Sequence, residues 1–217
     1  MALNGRWWWA VTAYIILTVV TFGLLMLSVL IGGPPAINSL ASLLLTGPFW
    51  LGISAFGLSL QARGKAPLSR LFEGFDGVKT FFVAVGAYLL VCLFVLLWSL
   101  LLIVPGIMAA LSYAMTFWVL AEEPDLGPMR ALSRSRSLMQ GHRMQLFRLY
   151  FRVLGWYLLA LLLVGGLFYL AVLGPYLELA LFLGVGFFGV LWVMAYQLVS
   201  FAEFYRELQH ENEAGPV

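Results

Sequence analysis

Charge is what this 217-residue chain has least of: Asp, Glu, Lys and Arg together make up 10% of it. A soluble domain carries about 25% charged and roughly 45–50% apolar residues. Here 63% of residues are hydrophobic and the mean hydropathy is +0.97, which excludes an ordinary water-soluble domain. Cysteine is nearly missing too. Cys92 stands alone inside an apolar run, so no disulfide framework and no metal-ligand spacing exists, and it reads as a small hydrophobe facing lipid or a neighbouring helix. Polar alternation is absent: LLVCLFVLLWSLLLIV has none of the period-two pattern of a membrane β-barrel strand. No Lys, Arg, His or Asp lies in the central part of any apolar run, and His142 and His210 both fall outside them. General acid–base catalysis needs a titratable group within reach of its substrate, and proton-coupled transport needs one at depth. No GxSxG, Gly-rich phosphate loop or histidine pair occurs either. No catalytic, metal or cofactor residue is therefore assigned, no cofactor is expected, and no nucleic-acid partner is expected.

What the chain does have is length of apolar run. Six stretches, 7–31, 37–61, 80–103, 107–121, 152–173 and 177–202, approach or exceed the about 18–20 residues that span a bilayer as a helix. The first, after Arg6, is too long for a signal-peptide core and ends in GGPP, so it reads as a retained span. The fourth is short and either dips or continues helically through Ala121-Glu122. The sixth is long and should tilt, or kink at Gly184, Gly186 or Gly189. Gly33-Pro34, Pro105-Gly106 and Gly174-Pro175 are expected to close three hairpins on the outer side, because Pro beside Gly breaks a helix. Gly86-Ala-Tyr-Leu-Leu and Gly155-Trp-Tyr-Leu-Leu resemble one another, with Lys79 and Arg148 each seven residues upstream. Leucine-rich helices match by chance more often than by descent, and a parallel repeat is the alternative.

With six spans, all twelve Lys and Arg residues fall on one side, and the connections GGPPAIN, VPG and LGPYLE carry none. This asymmetry puts both termini and the loops 62–79 and 122–151 in the cytoplasm. The densest cluster is MRALSRSRSLMQGHRMQLFR, residues 129–148. Gly127-Pro128 starts a helix and Gly141 lies past its end, giving a helix over 128–140. Its apolar face is Met129, Leu132 and Leu138/Met139, with Arg130, Arg134 and Ser137 opposite. Such a helix lies in the membrane interface and draws anionic lipid to Arg130, Arg134, Arg136, Arg143 and Arg148, at about 1 kcal/mol per basic residue near the surface. The alternatives are a solvated helix whose arginines pair with Glu122, Glu123 and Asp125, or a ligand or partner site.

Few polar groups remain to line a solute path. Glu178 sits three residues after Pro175, where a helix N-terminus favours a carboxylate; an ion or substrate ligand is the alternative. Ser54, Ser99, Ser112, Thr116, Gln197 and Ser200 more often bond between helices than to ligands. Ala55/Ser59 and Ala110/Ala114 point to close helix contacts. Trp50 follows Gly47-Pro48, which should kink the second helix and give the ring a groove.

From residue 97 the chain reads LWSLLLIVPGIMAALSYAMTFWVLAEEPDLGPMRALSRSRSLMQGHRMQLFRLYF. This resembles the bacterial integral-membrane family known as domain of unknown function 975. The family's IPGI turn is matched by Val104-Pro105-Gly106-Ile107 and its LAENP helix end by Leu120-Ala121-Glu122-Glu123-Pro124. Its EAL..S..LM.G helix is matched by Ala131-Leu132, Ser135 and Leu138-Met139 with Gly141, its W-containing span by Gly155-Trp156, and its FY segment by Phe204-Tyr205. Upstream GPFWLG and QARGKAPLSRLFEGF are also similar, so the resemblance covers about residues 45–209. Arg130 stands at or beside the usual helix glutamate, Ala195-Tyr196 replaces a PY pair, and residues 174–194 are longer than the family pattern. The resemblance implies a bacterial inner-membrane protein without an assigned reaction.

The expected fold is all-α: one polytopic membrane domain over 1–217, six transmembrane helices as three hairpins plus a cytoplasmic amphipathic helix. The expected role is non-enzymatic, as an accessory, scaffold or lipid-interacting component with a basic cytoplasmic face. Its partners would be membrane lipids and a membrane-protein partner or second copy. The alternative is a small permease-like carrier of an apolar or lipid-like solute, with Trp50, Ser112, Thr116, Glu178 and Gln197 as candidate groove positions.

Overall fold

The computed structural model describes residues 6–30, 35–63, 66–170 and 187–214, and among them it is entirely helical. The elements are α1 (Arg6–Leu30), α2 (Pro35–Arg63), a 3₁₀ segment (Leu68–Phe75), α3 (Val78–Leu101), α4 (Ile103–Tyr113), α5 (Thr116–Glu122), α6 (Pro128–Leu138), α7 (Arg143–Leu170) and α8 (Phe187–Ala214). Four stretches among the described residues are long and apolar enough to cross a membrane: Ser42–Ala62, Val78–Leu101, Ile103–Glu122 and Arg143–Leu162. The hairpin positions Gly33-Pro34 and Gly174-Pro175, with Gly184, Gly186 and Glu178, lie outside the described residues. Gly189 sits within α8, which continues well past residue 202.

The centre of the bundle is α2, which packs against the 3₁₀ segment, α3, α5 and α8. Glycine makes that centrality physical. A Cβ on Gly52 would collide with the backbone of Leu71, and one on Gly74 with the backbone of Pro48. On Gly47 it would lie 2.5 Å from the Ala84 carbonyl oxygen. The segment 66–75, expected as a plain cytoplasmic loop, thus lies flat along α2 with Leu71 and Ala66 buried and Phe75 edge-on to Phe49 at 5.1 Å. Pro48 is buried inside one continuous helix.

The third apolar stretch turns into the fourth earlier than the Pro-Gly signal suggested. Leu102 alone is extended (φ −162°, ψ 151°), and α4 begins at Ile103. Pro105 occupies the first turn of that helix, where its missing N–H removes no hydrogen bond. Gly106 is there for proximity: a Cβ would clash with Ser99 on α3. The expected VPG turn is therefore a helix start and a close-packing point. Starting at Ile103 also resolves the short fourth stretch, since Ile103–Glu122 is 20 residues, or about 30 Å of helix.

That stretch is broken once, at Ala114-Met115. A helix end leaves its last carbonyls without intrahelical partners. Ser112 Oγ donates to the Met108 carbonyl at 2.6 Å, Thr116 Oγ1 to the Tyr113 carbonyl at 2.7 Å, and Ser135 Oγ on α6 to the Ser112 carbonyl at 2.9 Å. α2 and α4–α5 have about half of their apolar windows covered by neighbours, while α3 and α7 leave most of theirs exposed.

Candidate functional site

α6 forms where the sequence placed it, with Gly127 before it, Pro128 in its first turn and Gly141 beyond its end at φ 85°. Its surroundings are not those expected. Ala131, Leu132, Ser135 and Leu138 are buried against α3, α4 and α5, and Met139 is fully buried. Met129 is 59% exposed and does not share that face. The apolar stripe of α6 is thus held by protein, and the expectation that Leu132 and Leu138 dip into headgroups is overturned. The reason is in the stripe itself. Ser135 needs an acceptor when buried, and the Ser112 carbonyl left open by the α4–α5 break supplies one.

The arginines are fixed by this docking but do not form one cluster. Arg130 and Arg134 are exposed on the outer side of α6, beside a hollow that Glu123 also lines. Arg148 is exposed on α7 and shares a polar hollow with Arg152, Glu203, Glu207 and Glu211. Arg136 and Arg143 converge elsewhere, on a cavity of about 200 Å³ walled by Trp98, Met108, Ser112 and Tyr113. The expected partners of these arginines pair differently. Lys79 Nζ meets Asp125 at 3.2 Å, and Glu122 faces α8.

The proposed groove positions are not brought together. Trp50 is 45% exposed rather than seated in a groove. The Ser112 and Thr116 hydroxyls are spent on the helix break. Gln197 accepts from the Tyr157 hydroxyl at 3.3 Å, bridging α8 to α7, and Glu178 lies outside the described residues. Of the small-residue pairs, Ala55 is buried, whereas Ala110 is exposed.

Sequence reading passed over a second cluster. Tyr205 on α8 is buried, stacks on Trp118 of α5 with centroids 6.0 Å apart, and donates its hydroxyl to Glu122 Oε2 at 2.7 Å. Gln209 Nε2, one turn further, donates to the same oxygen. Burial, then the Glu122 hydrogen bond, pushes the phenol well above its ordinary value, so it stays a donor throughout the physiological range. Glu122 and Tyr205 both lie in the family's motifs. The signal was their separate appearance at two helix ends; nothing in either motif says that they touch.

No curated protein and no solved structure matches the chain. A family profile matches residues 99–212, a span that contains the α4–α5 break, docked α6 and both halves of the Glu122–Tyr205 contact. The chain belongs to the family described as protein of unknown function (DUF975).

Proposed function

We propose that this is a six-span, non-enzymatic protein of the bacterial cytoplasmic membrane that presents a basic cytoplasmic face to anionic lipid and to a membrane-protein partner. The observation that carries this reading is the docking of α6, whose buried stripe holds Arg130 and Arg134 outward on a fixed frame. A flexible loop would lose that spacing. The apolar stretches 7–31, within which most of α1 lies, and 177–202, which runs into α8, supply the fifth and sixth crossings, each longer than the about 20 residues required. The one-sided distribution of the twelve basic residues supports cytoplasmic termini.

Two measurements test it. Single cysteines at Ala36 and Gly174 should react with an impermeant thiol reagent added outside intact cells, and one at the exposed Ser133 should not. Labelling of Ser133 would invert the threading. Purified in mild detergent and analysed by mass spectrometry, the protein should carry anionic phospholipid in excess of its share in the membrane. The excess should shrink as salt is raised, because exposed charges are screened. A copurified lipid profile identical to the bulk membrane would remove the lipid-facing role.

A further inference from the structure

We propose that the cavity between α4 and the α6–α7 corner is a binding site for one anionic phospholipid, with Arg136 and Arg143 holding its phosphate and the adjoining apolar groove taking an acyl chain. This deepens the lipid-facing reading and rests on its lipid class alone: Trp98 and Pro105 beside the α3–α4 turn line the same cavity, so the site lies at that end of α4.

Three observations point there. First, the two guanidinium-bearing side chains line one small cavity with Trp98, Met108, Ser112 and Tyr113, and neither makes an ion pair among the described residues. The Arg143 Nε has no hydrogen-bond partner among the described residues, so protein does not engage the guanidinium at that atom. Second, among the described residues this basic hollow lacks the carboxylates that line those at Arg134 and Arg148. The hollow at Arg130 and Arg134 includes Glu123, and the one at Arg148 and Arg152 includes three glutamates. Both are already partly neutralised. Third, Arg143 and Met108 are shared with a neighbouring groove of about 680 Å³, within the about 300–1,000 Å³ typical of ligand sites. Val104, Ile107, Leu111, Met144 and Phe147 line it. A basic head pocket opening directly onto an apolar groove has the shape and polarity of a phospholipid.

The headgroup class follows from the same lining. Arginine matches phosphate oxygens bidentately. Among the described residues no acidic side chain lines the cavity to receive the cation of a choline or ethanolamine headgroup. Net anionic lipids such as phosphatidylglycerol are therefore preferred to zwitterionic ones. Arg136 on α6 and Arg143 at the start of α7 reach the lipid from two elements, so its binding would also brace the turn at Gly141.

The test uses the full chain, delipidated in neutral detergent and titrated with phosphatidylglycerol or phosphatidylcholine under native mass spectrometry. Phosphatidylglycerol should bind at least about tenfold tighter, the worth of one charge-assisted hydrogen bond. Arg136→Gln with Arg143→Gln should erase that preference, while Arg130→Gln with Arg134→Gln on the outer face should keep it. Ile107→Trp, at a side chain 46% exposed in the groove wall, should weaken binding with both arginines present, and it decides the matter if the paired variant does not fold. Equal affinity of the wild type for the two lipids, or equal losses from the two arginine pairs, overturns the site. So does an Ile107→Trp variant with unchanged affinity whose lipid is displaced by inorganic phosphate, which would mark a free-anion site. If anionic lipid still copurifies in excess with the Arg136/Arg143 variant, this pocket fails and the broader lipid-facing reading stands. If the wild type shows no such excess, both fail.

Discussion

Replacing Tyr205 by alanine is expected to destabilise the purified protein by about 3–5 kcal/mol, the range for deleting a buried aromatic side chain. Tyr205 is among the largest fully buried residues. Its loss empties the space against Trp118 and strips Glu122 of one of its two donors. Tyr205→Phe keeps the ring and should cost about 1–3 kcal/mol, the penalty for an unsatisfied buried partner. The order alanine, phenylalanine, wild type in thermal unfolding followed by tryptophan fluorescence checks this. A Tyr205→Ala protein that melts with the wild type would mean that α8 is held elsewhere.

The second large effect concerns glycines. Gly52→Val and Gly74→Val should each cost more than the about 1–3 kcal/mol of ordinary overpacking, because what the new Cβ meets is backbone, of Leu71 and Pro48 respectively. Backbone cannot move aside as a side chain does. α2 and the 3₁₀ segment would have to separate, exposing Leu71 and Ala66. Gly155→Ala is the contrasting control. That glycine lies in α7 with nothing near its missing Cβ, so alanine should stabilise by about 0.5–1 kcal/mol through helix propensity. Monodisperse protein recovered by size exclusion should fall sharply for the first two variants and not for the third. Normal recovery of Gly52→Val would refute the close α2 contact.

Much of this arrangement was legible in the chain, and what was not has identifiable causes. Of the six apolar runs expected to cross, four are long and apolar enough among the described residues, and these were legible because run length and composition are local properties. The bounds of α6 followed from Gly127, Pro128 and Gly141, again locally. Periodicity told that α6 has an apolar face without telling what covers it, since lipid and protein both accept leucine. Ser135 in the middle of that stripe was the available clue, because acyl chains offer a hydroxyl no acceptor and a protein carbonyl does. Pro105-Gly106 misled for a related reason. Proline marks a helix start as readily as a turn, and the close approach of Ser99 that requires glycine is a tertiary fact. The tightest contacts, Gly52 with Leu71 and Gly74 with Pro48, lie within the quoted GPFWLG and QARGKAPLSRLFEGF segments. The motifs were visible and their mutual touch was not. Arg136 and Arg143 show the same limit. Seven residues apart on two helices, they share a wall only because α6 folds back on α4.

The position of these contacts along the chain also orders how the molecule assembles. Ser135 reaches Ser112 across 23 residues, and the 3₁₀ segment lies against the helix just before it. These unions close over short loops as soon as the ribosome has delivered both halves, since short-range contacts form early. Glu122 waits 83 residues for Tyr205, and the Val199 carbonyl reaches back 138 residues to Gln61. Until α8 emerges, the Trp118 face of a half-made protein stays open. α8 is thus the latch that closes these contacts during synthesis, and a stalled chain lacking it would leave exposed to the insertion machinery the Trp118 face that α8 covers in the folded protein.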